Sequence, residues 1–201
     1  MTFTIPNLLS LLRMGLVLLF IIAVTDGEPR RALVVFVVAG VTDALDGFIA
    51  RFYHQQTLLG SYLDPIANKM LLTSAYVVLA IPSLNRVLPI PFWVTVLVIA
   101  RDVLIIVVAI ALSLATGIKR FPPAPIGKAT TVMQVATILL VLVVLARFGG
   151  PPAGLEVVAT MAIYVTAALT VASGLTYIVL ANRRAVPKAD VQDGAGPPRV
   201  C

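Results

Sequence analysis

The sequence predicts an all-α, polytopic membrane protein of six transmembrane helices. Of its 201 residues 60% are hydrophobic and only 12% charged, and the mean hydropathy of +1.03 lies well outside soluble globular usage. Its apolar residues fall in continuous runs with no strict alternation, which favours helices that satisfy their own backbone groups over barrel strands. Short clusters of Gly, Pro and charged residues separate these runs at spacings suited to a bilayer crossing.

Taken in order, residues 1–8 read as a short interfacial lead-in to a first span from Leu9 to Val24, with Arg13 one to two turns inside. A signal peptide with residues 14–24 as its apolar core is the competing reading. Against it, the charge lies late and the following DGEPRR offers no small-residue cleavage pattern. Gly27 and Pro29 mark a turn before the second span, Ala32 to Arg51. Residues 52–59 are a polar link carrying His54, the only histidine, which reads as a solvated loop side chain. Gly60 opens the third span, which runs to Ala80 and holds Pro65 in its first turns. A Pro-rich turn at 81–91 precedes the fourth span, Phe92 to Thr116, with Arg101 and Asp102 near mid-depth.

Lys119, Arg120 and Lys128 then give the 117–134 segment a basic, proline-broken character suited to anionic lipid or an anionic acceptor. The fifth span covers Thr130 to Leu145, GGPPAG makes a turn, and the sixth span runs from Leu155 to Leu180. Composition shifts after Asn182, so the expected organisation is one membrane domain over 1–185 and a disordered cytoplasmic tail over 186–201. The net charge of +6 is scattered among the spans, which points to anionic lipid or phosphate and away from nucleic acid. A single cysteine, Cys201, excludes an intramolecular disulfide framework and a Cys-rich metal site.

Basic residues also suggest orientation. Arg51, Lys119, Arg120, Lys128, Arg183, Arg184, Lys188 and Arg199 would lie on the amino-terminal side of six spans, against Arg30, Arg31, Arg86 and Arg147 opposite. That excess places both termini, and the junction of spans two and three, in the cytoplasm.

The chemistry concentrates at that junction. Asp43 and Asp46 stand i,i+3 and share a helix face, and Asp64 and Asn68 stand i,i+4 on the next helix. Carboxylates this close to hydrocarbon require a shared positive partner, read here as a divalent cation. Oxygen ligands without Cys or clustered His favour Mg²⁺ or Mn²⁺ over Zn²⁺. Gly47 and Ala50 leave the neighbouring surface bare enough for a polar ligand to approach the backbone.

Read as D-x-x-D-G-x-x-A-R-x8-G-x3-D-x3-D, residues 43–68 resemble the signature of the CDP-alcohol phosphatidyltransferases. Asp43, Asp46, Gly47, Ala50, Arg51, Gly60 and Asp64 are in register, and position 68 departs, with Asn where the family has Asp. Further likeness lies in the opening TIPNLLSLLR, in Gly127, Lys128, Thr131 and Gln134, and in RDVLI, which is similar to the cardiolipin synthase subgroup.

The resemblance implies transfer of a phosphatidyl group from CDP-diacylglycerol to a glycerol-type acceptor, with release of CMP, by a homodimer among membrane lipids. The acceptor would be phosphatidylglycerol, giving cardiolipin, or glycerol 3-phosphate, giving phosphatidylglycerophosphate. Asp43, Asp46 and Asp64 would bind two metal ions, with Asn68 as a weak ligand at the position of the family's base. Gly47, Ala50 and Gly60 would make room for the nucleotide and Arg51 would lie near a phosphate. Arg13, Arg101, Arg120 and Lys128 are the acceptor-side candidates. For Arg101 the expected arrangement is a side chain turned to the cavity with Asp102 paired elsewhere; a purely structural interhelix ion pair is the alternative.

An amide cannot accept the acceptor hydroxyl's proton, and loss of a general base typically costs ~10²- to 10⁴-fold in rate. A catalytically silent CDP-lipid binder therefore stands beside the transferase. An aspartate-rich membrane prenyltransferase is a third reading, and the Gly47, Ala50, Arg51 and Gly60 spacing argues against it.

Overall fold

A computed structural model describes residues 5–53, 58–85, 87–116, 125–147 and 153–185, with side-chain surroundings for 12–43, 69–85, 87–108, 126–147 and 154–179. Among the described residues there are six helices and no strand: α1 (Ile5–Thr25), α2 (Pro29–Tyr53), α3 (Leu58–Leu79), α4 (Phe92–Thr116), α5 (Pro125–Ala146) and α6 (Ala153–Ala185). The tail and most of the basic 117–124 segment, Arg120 included, lie outside them.

Local chemistry sets the helix ends. Gly27 takes φ 71°, and its N–H and that of Glu28 return to the carbonyls of Val24 and Ala23 at 3.1 and 2.9 Å. This double closure ends α1 with a left-handed glycine. Pro29 then starts α2, where a missing N–H costs nothing, and the Glu28 carbonyl accepts the Ala32 N–H at 3.1 Å. After α3, the buried Asn85 side chain donates to the carbonyls of Leu79 and Leu88 and accepts the Leu88 N–H, folding the Pro-rich turn onto the helix end. Arg30 Nε of α2 donates to the last carbonyl of α5, Ala146, at 3.0 Å, so one helix start covers another's open end.

Three boundaries differ from the sequence expectation by four or five residues, one of them the end of α6, which runs on from the expected Leu180 to Ala185. Helix α1 begins at Ile5, so part of the proposed lead-in is already helical. Helix α5 begins at Pro125, which places Gly127 and Lys128 in its first turn and not in a linker. Proline suits that first position for the same reason as in α2.

Helix α1 packs on both α2 and α3; α5 packs on α2 and α6; α4 packs on α6 and α3. Val17, Phe20 and Val24 of α1 meet Ala32, Phe36 and Ala39 of α2, with the Phe20 and Phe36 rings 5.8 Å apart. Tyr76, Leu79, Val94, Val98, Ile138, Leu142 and Ile163 complete the core.

The outer surface is apolar as well: Leu18, Leu19 and Ile22 of α1 and Val34, Val37, Val38 and Val41 of α2 are exposed. Helices apolar all round belong in hydrocarbon. Ile126–Ala146 and Gly154–Val179 are each long and apolar enough to cross a bilayer, and Leu12–Thr25 and Lys69–Leu79 are shorter apolar helices. Hydroxyl groups line the α5–α6 contact, where the Thr137 and Thr166 hydroxyls lie 2.7 Å apart and Thr130 and Thr137 donate across to the carbonyls of Leu169 and Ala162 at 3.4 and 3.2 Å. Such interhelical polar bonds hold helices together where the hydrophobic effect between them is weak.

Candidate functional site

Among the described residues two charged clusters lie inside the bundle. The first joins α1 to α2: Arg13 Nη1 lies 2.8 Å from Asp43 Oδ1. Arg13 is 1% exposed and Asp43 33%, so the cation is the deeper partner and the carboxylate the one open to a ligand. A guanidinium this buried cannot reach an interface by extending its stem, and it requires an anion beside it. Asp43 is the first carboxylate of the signature. The sequence placed Arg13 on the acceptor side; the structure gives it this ion pair with the motif itself.

Asp46, Gly47, Ala50 and Arg51 occupy the last turns of α2, and Gly60, Asp64 and Asn68 lie on α3. Their side chains fall outside the described ones. Among the described residues no three acidic, His or Cys side chains come together. Helix α1, which carries Arg13, packs on both motif helices.

The second cluster ties four helices. Arg101 of α4, buried, donates from Nη1 to Asp102 Oδ1 at 2.8 Å and from Nε and Nη2 to Ser173 Oγ of α6 at 3.3 and 3.0 Å. Its Nη2 also donates to the Gly127 carbonyl of α5 at 3.3 Å, a carbonyl that accepts from Thr131 Oγ1 as well. Lys69 of α3, 40% exposed, places Nζ 3.2 Å from the same Asp102 oxygen. Gly127 permits this approach: a Cβ there would meet Tyr177 Oη at 3.1 Å and Arg101 Nη2 at 3.2 Å.

This arrangement corrects the expected separation of Arg101 from Asp102. Adjacent helical residues point apart, yet the long arginine stem folds back far enough for Nη1 to reach its neighbour. Lys69 extends only partly to the surface, because Asp102 holds its ammonium group. Lys128, next to Gly127, is exposed. Sequence reasoning missed Ser173 and the Lys69–Asp102 bridge. The presence of Lys69 one position after Asn68 was the available signal for the bridge, and nothing marked Ser173.

The fold and these clusters define an all-helical membrane protein that buries paired charges between its helices, one of them on the leading aspartate of an acidic motif. Residues 3–183 match the CDP-alcohol phosphatidyltransferase family, and the chain belongs to that family. A CDP-diacylglycerol–glycerol-3-phosphate 3-phosphatidyltransferase of Shigella flexneri is 36% identical over 191 residues, covering 90% of this chain and 97% of the relative. A probable phosphatidylglycerophosphate synthase of Mycobacterium tuberculosis is 32% identical over 185 residues, covering 89% and 82%. The CMP-forming cardiolipin synthase of Rattus norvegicus is 44% identical over 104 residues, 51% of this chain and 33% of the relative. The match to the rat and human cardiolipin synthases thus spans about a third of their length.

Proposed function

We propose that this protein transfers the phosphatidyl group of CDP-diacylglycerol to a glycerol-type acceptor and releases CMP. The observation that carries the reading is the acidic signature at 43–68, spread over the end of α2 and the start of α3, with Asp43 facing a buried cation. A carboxylate that already serves a cation, in a motif whose charged donors are carboxylate oxygens, fits a hard divalent ion. Asp43, Asp46 and Asp64 would hold it, with the Asn68 carbonyl as a weaker ligand. Two Mg²⁺ or Mn²⁺ ions, when bound, would neutralise the diphosphate and the departing CMP.

The chain's own residues would do the rest. Gly47, Ala50 and Gly60 would admit the nucleotide, and Arg51 would contact phosphate. Arg101 spends most of its donors on protein partners, so Lys128, exposed beside the cluster, and Arg120 are the stronger acceptor-side candidates. On this reading all six helices cross the bilayer, residues 186–201 form a cytoplasmic tail, the site opens to the cytoplasm, and the protein works as a homodimer.

The names of the relatives support both acceptors. Likeness to the glycerol-3-phosphate enzyme covers nearly the whole chain, and likeness to the cardiolipin synthases is higher over about half of it. Supplying CDP-diacylglycerol with either glycerol 3-phosphate or phosphatidylglycerol and following CMP release distinguishes them.

Asn68 favours a second reading, a CDP-lipid binder with little turnover, and the same assay separates the two. Restoring the base by Asn68→Asp is expected to raise turnover by ~10²- to 10⁴-fold. A gain of no more than about twofold would mean that the missing base is not what limits the protein.

A further inference from the structure

Arg13 is an unusual neighbour for a metal-binding carboxylate. Its guanidinium is almost wholly buried and lies 2.8 Å from Asp43 Oδ1, while Asp43 stays a third exposed. The arginine thus supplies counter-charge at the place where the transferase reading puts a divalent ion. A dication approaching the exposed side of Asp43 meets that fixed positive charge at short range and in a poorly screening interior, which opposes binding. A diphosphate arriving with the ion reverses the balance, because its negative charges offset both cations and its oxygens can accept the guanidinium's N–H donors.

We propose that Arg13 makes metal loading at Asp43 conditional on the diphosphate: it weakens binding of the ion alone and favours binding of ion and CDP-lipid together. The inference rests on the transferase reading of the site. Arg13 is here a positioning and charge-balancing residue, distinct from a ligand of the acceptor. Helix α1 is well placed for the task, since it packs on both helices that carry the signature. Linkage requires the converse too, so the CDP-lipid binds more tightly when the ion is present.

The test measures Mn²⁺ binding by electron paramagnetic resonance on the full chain in lipid nanodiscs, with and without CDP-diacylglycerol in the disc. Protein-free discs of the same composition provide the subtraction. In the unmodified chain CDP-diacylglycerol should tighten Mn²⁺ binding by roughly ten- to a hundredfold. Arg13→Gln should tighten binding in discs lacking CDP-diacylglycerol by roughly tenfold and bring the ratio between the two discs towards one. Arg13→Lys, which keeps the charge, should retain most of that ratio.

Equal weakening of Mn²⁺ binding in both discs by Arg13→Gln would overturn the inference, because it would show simple support of Asp43. An unchanged ratio would overturn it as well. Should Arg13→Gln fail to fold, the unmodified chain still decides, since a ratio near one without any substitution contradicts the proposal. Mn²⁺ binding in neither disc would remove the transferase reading and this inference together, whereas binding without coupling removes the inference alone.

Discussion

Arginine offers five N–H donors in a fixed fork, and Arg101 shows how a membrane bundle uses them. Asp102 answers the charge, and Ser173 and the Gly127 carbonyl take hydrogen bonds that hydrocarbon could not. The cluster therefore fixes the positions of α4, α5 and α6, and through Lys69 it also restrains α3 one residue after Asn68. Ser173 is a single hydroxyl accepting from two of the fork's nitrogens. Ser173→Ala should leave those donors without an acceptor at a cost of about 1–3 kcal/mol. A lower melting temperature in detergent, with the helical circular dichroism retained before melting, is the expected result. An unchanged melting temperature would show that the fork finds other acceptors. Arg101→Lys should not preserve the network, because a point charge cannot span Asp102, Ser173 and Gly127 at once.

Helix ends show where sequence is informative and where it stops. Gly27 followed two positions later by Pro29 announces a stop and a start, and the structure has both, with glycine in the left-handed region and proline opening α2. Three prolines before Gly127 suggested a linker, but the last of them opens α5, because proline at a first helical position breaks nothing. All six helices were legible from the apolar runs to within a few residues of their ends.

Partners between helices were not legible. Whether Arg101 turns to Asp102 or away, and which hydroxyl of α6 meets it, depends on packing that no local pattern encodes. The Arg13–Asp43 pair was foreseeable only as a buried cation in need of an anion and a carboxylate in need of a cation. The signature was visible as spacing, with Asn68 its one departure, while the meeting of its side chains falls outside the described residues.

One pair of glycines tests the helix-end argument. Nothing lies within 4 Å of a Cβ built at Gly27 or at Gly40, so sterics cannot distinguish them, but only Gly27 has positive φ. Gly27→Ala should cost about 1 kcal/mol through backbone strain, and Gly40→Ala should gain up to about 1 kcal/mol as an ordinary helical substitution. Opposite shifts in melting temperature are expected; a loss at both would mean that Gly40 serves an approach made by something other than this chain.

At the scale of the whole molecule the question is which way the bundle faces. A soluble cytidine nucleotide has to leave into water as CMP while the phosphatidyl tails stay in lipid, so the end of α2 and the start of α3 should face the compartment that holds CTP-derived donors. The basic residues agree, since Arg183 and Arg184 at the end of α6, with Lys188 and Arg199 after them in sequence, join Arg51, Lys119, Arg120 and Lys128 on that side against Arg30, Arg31, Arg86 and Arg147 opposite. Six crossings would bring the two termini to that same face, and the Pro-rich turn at 81–91 to the other. The chain carries one natural probe, Cys201, and the exposed Ser83 in that turn provides a second position. In intact bacterial spheroplasts a membrane-impermeant maleimide should leave Cys201 unlabelled until the membrane is opened. In a Cys201→Ser background, Ser83→Cys should react at once. If both cysteines reacted from the same side, an even number of membrane crossings would separate them in place of the expected three, and the six-crossing arrangement, along with a cytoplasmic site, would have to be abandoned.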